Sequence, residues 1–101
     1  MATNKMRPIH PGEVLREEFL SPLGMSANAL AMALHVPAPR INDIVRERRA
    51  VTPDTALRLA RYFDTTAQFW LNLQSAFDLK QIENEVGKRI AEEVRPMQMA
   101  A

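Results

Sequence analysis

Apolar residues recur in this chain at three- and four-residue spacing and strand-type alternation is nearly absent, so the pattern predicts an all-α protein. His10-Pro11-Gly12-Glu13 opens a first helix, with Pro11 at the first helical position where its missing N–H is no loss. Val14, Leu15, Glu18 and Phe19 carry that helix to a stop at Ser21-Pro22-Leu23-Gly24. Ser26 caps a second, whose Leu30, Ala31 and Leu34 share one face and which His35 ends. A third begins at Pro37-Ala38-Pro39, because two prolines are tolerable only in a first turn, and turns Ile41, Ile44 and Val45 inward until Arg46-Glu47-Arg48-Arg49 closes it. Thr52-Pro53-Asp54 starts a fourth with a cap, a proline and an acid at the positive end of the dipole, and Ala56, Leu57, Leu59, Ala60 and Phe63 supply its core face. Thr66 caps a fifth, in which Phe69, Trp70, Leu73, Ala76 and Phe77 share an arc of about 120° at 100° per residue. Leu79, Ile82, Val86, Ile90 and Val94 then fall on a different arc. Either the helix breaks near Asp78, or this stretch faces a different partner.

Composition narrows the class. At 101 residues there is room for one core, and 47% apolar with 25% charged residues excludes a solvated disordered chain. A net charge of +1 excludes a uniformly basic nucleic-acid glue, although a local basic surface stays open. The absence of cysteine excludes disulfide scaffolds and cysteine nucleophiles, and suits a reducing cytoplasm, the expected location. Residues 1–8 carry positive charge with no apolar stretch behind it and read as a frayed arm rather than a secretory signal. The uncharged run 19–39 is broken by Ser21, Pro22, Gly24, Ser26, Asn28, His35 and Pro37, so no membrane span is expected.

The second and third helices with the turn between them form the informative constellation. A helix-turn-helix needs small or apolar residues at fixed offsets so that two short helices cross closely and the second enters a major groove. Leu30, Ala31, Leu34, Val36, Ile41 and Ile44 occupy those offsets, with Ala31 at the close approach. Ala38, Arg40, Asn42, Asp43 and Arg46 are left pointing outward, a set able to read base edges, while Arg48 and Arg49 suit phosphates. Residues 36–49 carry a local +2, and the first helix, with Glu13, Arg16, Glu17 and Glu18, is −2. Two packed helices of a generic bundle would show the same apolar spacing.

Enzymatic readings find little support. His10 and Glu13 share a helix face at metal-ligand spacing but lack a third ligand, so they read as a first-turn cap and a dipole-compensating acid. His35 has no nearby Ser or Asp partner, and three glycines form no phosphate loop. Phe69, Trp70 and Phe77 have the shape of base-stacking groups but lie on an apolar arc and read as core; Met25 and Met32 read as packing. No catalytic residue, metal or cofactor is expected.

IHPGEVLREEFL at 9–20, RINDIV at 40–45, TALRLA at 55–60 and FWLNLQ at 69–74 together resemble the HigA family of antitoxins, within the Xre-type repressor class, over roughly residues 8–79. The resemblance implies a five-helix, lambda-repressor-like helix-turn-helix domain over 9–78. Residues 79–101 would be a C-terminal helical extension, and the apolar stripe from Leu79 to Val94 points to dimerisation through the region after Thr66. It implies a homodimer on palindromic double-stranded operator DNA, repressing its own operon, and a neutralised toxin of the HigB type, a ribosome-dependent mRNA endonuclease. Three positions depart from the family pattern: His35 and Asp64 stand at turns where glycine is usual, and Glu47 where a small residue is common. Trp70, Leu79, Ile82 and Val86 are the candidates for the subunit contact, with Gly87 a weak point in that helix. The acids Glu13, Glu17 and Glu18 are candidates to meet a basic toxin. A stand-alone regulator without a toxin, and a purely protein-binding helical module, are the rival readings.

Overall fold

A computed structural model describes residues 7–98. Arm residues 1–6 and tail residues 99–101 of the sequence-based division lie outside them.

The first helix, α1 (residues 11–23), is α-helical over Pro11–Val14 and Ser21–Leu23 and π-helical over Leu15–Leu20. Its N-cap is His10, whose Nδ1 accepts the Gly12 N–H at 2.9 Å. The widened turn was not legible in the periodicity. Pro22 has no N–H to offer and its ring would press on the carbonyl four residues back, so the backbone loosens instead of breaking. In that register the Ser21 N–H reaches the Arg16 carbonyl, and Leu15 and Leu20, five apart, are both buried.

The other helices are α2 (Ala27–Leu34), α3 (Ala38–Val45), α4 (Pro53–Phe63) and α5 (Ala67–Glu93). Ser26, Thr52 and Thr66 cap α2, α4 and α5 through their hydroxyl oxygens, as their spacing predicts. The first four helices each lead into a left-handed residue: Gly24 (φ 61°), His35 (φ 60°), Glu47 (φ 63°) and Asp64 (φ 56°). At each, an N–H just beyond reaches back to the last turn: Met25 to Leu20, Val36 to Ala31, Arg48 to Asp43 and Thr65 to Ala60. The turns at His35 and Asp64 therefore keep the left-handed shape for which the resemblance leads one to expect glycine.

The core is Leu15, Leu20, Leu30, Ala31, Leu34, Ile41, Ile44, Val51, Ala56, Leu59 and Trp70. Trp70 is completely enclosed, with Phe19 packed 5.2 Å from its ring and Thr65 Oγ1 accepting its indole N–H at 2.9 Å. This corrects its assignment to the subunit contact, because a side chain enclosed by its own chain has no surface to offer a partner. Leu57, placed in the core by its pattern, is 64% exposed. It lies about 100° from Ala56 on α4, and Thr55 takes the buried position on the other side. Met32, read as packing, is also exposed.

The helix does not break at Asp78. α5 runs 27 residues, about 40 Å at 1.5 Å per residue, and its second half projects beyond the core, which gives the described residues their 56 × 27 × 24 Å extents. Of the two alternatives the sequence left open, the first, a break, is excluded: Leu79, Ile82 and Ile90 are exposed on a continuous helix, Val94 is exposed at its C-cap and Val86 is half-buried.

Candidate nucleic-acid interface

The interface is built around α3. Ala31 of α2 is buried at the crossing with α3, and Leu34, Ile41 and Ile44 close the space beneath. The N-terminal turn of α1 meets the other end of α3 so closely that a Cβ on Gly12 would lie 1.8 Å from the Ile44 carbonyl oxygen. Arg16 adds a second tie, donating to the Val45 carbonyl and pairing with Glu47 at 3.3 Å. Gly12 and Arg16, unmarked in the sequence as site residues, thus fix where α3 ends.

At 100° per residue the centre of the outward face of α3 falls on Pro39, Asp43 and Arg46. Pro39 and Arg46 are exposed and Asp43 half-buried. Ala38, in contrast, packs partly against the core. Asn42 lies on the flank toward α2, where its amide N–H groups donate to Asn28 Oδ1 at 2.7 Å and to the Ala38 carbonyl at 2.9 Å. Arg40 lies on the opposite flank, where its guanidinium donates to Asp54 Oδ2 at 2.6 Å. Asp54 also accepts from Arg58 at 2.9 Å, and the two guanidinium groups, Arg58 first, hold its carboxyl below the ordinary carboxylate range.

Each carboxylate bordering α3 is thereby matched. Asp43 pairs with Arg49 at 3.5 Å, Glu47 with Arg16, and Asp54 with Arg40 and Arg58. Arg46 and Arg48 are exposed with no carboxylate partner among the described residues, and they concentrate the positive charge at the C-terminal end of α3. An exposed polar helix flanked by such charge has the form of a groove-reading element with phosphate contacts beside it. Sequence reasoning missed Asn28, Pro39 and Asp54. In the sequence Pro39 reads only as a helix-start signal, while Asn28 and Asp54 meet α3 across turns whose geometry has no local sequence mark.

His10 and Glu13 each have another partner. His10 is the α1 cap and stands edge-on to Phe77 at 4.8 Å; burial pushes its imidazole below the ordinary histidine range. Glu13 accepts both guanidinium branches of Arg7, at 2.7 and 2.9 Å. Among the described residues no group of three or more His, Asp or Glu is placed to hold a metal ion, and no helix is long and apolar enough to cross a membrane.

Residues 15–70 match the family model described as helix-turn-helix. The chain is 63% identical over 82 residues to virulence-associated protein I of Dichelobacter nodosus, covering 81% of this chain and 76% of that protein. It is 35% identical over 97 residues to antitoxin HigA-1 of Vibrio cholerae, covering 96% and 90%. The solved structure of Pseudomonas aeruginosa antitoxin HigA with the higBA promoter superposes with a TM-score of 0.89 at 55% identity, covering 91% of this chain and all of that one.

Proposed function

Because the chain belongs to the HigA family of helix-turn-helix antitoxins, we propose that it is the antitoxin of a toxin–antitoxin pair and represses its own operon by binding operator DNA through α3. The observation that carries this reading is the juxtaposition of the exposed α3 surface with the unpaired cations Arg46 and Arg48, on a scaffold that a HigA solved with its promoter matches along its full length. It acts as a DNA-binding regulator in the cytoplasm and not as an enzyme.

Arg46 reads a base edge, Arg48 and Arg49 hold phosphates, and Arg40 joins them by leaving Asp54 for the DNA. Asn42 and Asp43 lie against the groove with Ala38 at its entrance. The chain works as a homodimer on a palindrome, since a helix-turn-helix reads two half-sites one helical turn apart. The exposed Leu79 and Ile82, with Val86, supply the subunit contact. Its partner is a HigB-type mRNA endonuclease, held by folded surface. Glu17 and Glu18 are exposed on α1, while Glu13 is already neutralised by Arg7. Glu17 pairs with Arg16 at 3.0 Å, so Glu18 is the acid on this face left without a cation among the described residues, and with the exposed Glu17 beside it is the candidate to meet a basic toxin.

Gel shifts on DNA from upstream of its own reading frame, at two salt concentrations, test the DNA side. Arg46→Ala is expected to cost about 1–3 kcal/mol and relax specificity, whereas Arg48→Ala or Arg49→Ala weakens all sequences alike. Unchanged binding after replacing Arg40, Arg46, Arg48 and Arg49 together by Ala would sink it. Co-expression with the product of the neighbouring reading frame tests the other side: charge reversal at Glu17 and Glu18 is expected to abolish co-purification and growth rescue, and retention of both removes α1 as the neutralising surface.

A further inference from the structure

We infer that Asn28 and Asn42 form a two-residue reader for one adenine in each operator half-site, an inference that rests on the operator-binding reading above. The orientation of both amides is dictated chemically. A backbone carbonyl can only accept, so the amide nitrogen of Asn42 must face the Ala38 oxygen, 2.9 Å away. Its second hydrogen is then directed at Asn28, whose oxygen must meet it, 2.7 Å away. Flipping either amide would set donor against donor or acceptor against acceptor.

Two polar groups are left over. Asn42 Oδ1 is an acceptor and Asn28 Nδ2 a donor with hydrogens to give, and neither has another partner among the described residues. Asn28 is exposed and Asn42 half-buried, both on the α2 flank of the outward face. A bond between two such accessible amides adds little to folding, because water offers both groups equivalent partners. Its specific consequence is to leave one acceptor and one donor on the same flank of α3, each amide oriented by the bond that joins them.

Among the base edges of the major groove, only adenine offers the complement, an N6 amino donor beside the N7 acceptor. Guanine presents two acceptors and would bring O6 against Asn42 Oδ1; thymine lacks the donor and cytosine the acceptor. A single asparagine reads adenine with its own amide. Here the nitrogen of Asn42 is committed to Ala38 and Asn28, so Asn28 supplies the missing donor.

The test uses the full chain and the duplex it protects upstream of its own reading frame, with each A·T pair replaced in turn by G·C, by 7-deaza-adenine·T and by purine·T. One adenine per half-site is expected at which the wild type loses about five- to tenfold in affinity with either analogue, the loss of one hydrogen bond. Asn28→Ala should be insensitive to 7-deaza-adenine at that position and still sensitive to purine, because Asn28 meets N7. Asn42→Ala should show the reverse, because Asn42 meets N6. Thermal melts of both variants establish that they are folded. If the two substitutions change the response at different base pairs, or at none, the paired reader is overturned while operator binding stands. If the wild type does not prefer its own duplex to a scrambled one of the same composition, the operator reading fails and takes this inference with it.

Discussion

The same substitution, glycine to alanine, is expected to have three different outcomes at Gly12, Gly24 and Gly87. At Gly12 the new methyl would lie 1.8 Å from the Ile44 carbonyl oxygen and 2.7 Å from its carbon, with His10 Nδ1 at 3.0 Å. Ordinary contact needs roughly 3.5 Å, so α1 and α3 must part by roughly 1.7 Å. The obstacle is backbone and cannot rotate away. Overpacking of this kind costs about 1–3 kcal/mol, and displacing Gly12 from the His10 cap adds about 1 kcal/mol. The helix propensity of alanine returns at most about 1 kcal/mol. A net loss of about 1–3 kcal/mol corresponds to roughly 5–20 °C in Tm for a domain of this size. At Gly24 nothing lies within 4 Å, but φ is +61°, so the cost is the left-handed backbone alone, about 1 kcal/mol. At Gly87 the nearest atom is Glu83 Cβ at 3.7 Å inside a regular helix, so alanine should stabilise by up to about 1 kcal/mol. Urea denaturation followed by circular dichroism at one fixed protein concentration measures all three. If Gly12→Ala comes within 0.5 kcal/mol (roughly, the scatter of surface substitutions) of the parent, the close approach of α1 to α3 is wrong. Operator affinity should fall with the Gly12 variant alone, since only Gly12 touches α3.

Three further outcomes follow from single contacts. The His10 imidazole caps α1 in its neutral form and burial lowers its pKa, so the unfolded chain binds the proton more readily. Stability should therefore be full above the ordinary histidine value of about 6.5 and decline as pH falls below it, and His10→Asn, which keeps an acceptor, should flatten that slope; an unchanged slope in the variant refutes the assignment. Glu47→Gly should raise Tm, because relief of a left-handed non-glycine residue, about 1–2 kcal/mol, exceeds the loss of an accessible ion pair to Arg16, about 0–1 kcal/mol; a lower Tm would show that the pair dominates. Leu79→Asp with Ile82→Asp should yield a folded monomer in sedimentation, since both side chains are exposed, whereas Trp70→Ala should cost about 3–5 kcal/mol by emptying the core; a double variant that still sediments as a dimer removes the stripe from the subunit contact.

Helix starts were legible in the chain itself, because a cap is a local event: Ser26, Thr52 and Thr66 each satisfy an N–H three residues on, and a proline in the first turn needs no neighbour to be tolerated. The apolar offsets from Leu30 to Ile44 marked the inward faces of α2 and α3 for the same reason, since helical periodicity alone selects the inward face. What lay beyond reach depended on residues distant in sequence meeting in space. Leu57 and Trp70 both read as core from their arcs, yet only Trp70 is enclosed, because neighbouring elements, and not hydrophobicity alone, decide which apolar side chain is covered. The π-helical turn arose from fitting Pro22 inside a helix that also had to bury Leu15 and Leu20. Arg40 reads as an outward polar position in the sequence, whereas the fold sets it on a flank of α3, where only the approach of the α4 N-terminus could pair it with Asp54, fourteen residues away. Asn28 carried no signal at all: an exposed asparagine in a first helical turn is commonplace until the tertiary crossing angle brings Asn42 within hydrogen-bonding distance. Local hydrogen bonding and periodicity are written into a single chain segment, whereas the register of one helix against another is set by packing of the whole core, and here that register determines which polar groups the third helix presents.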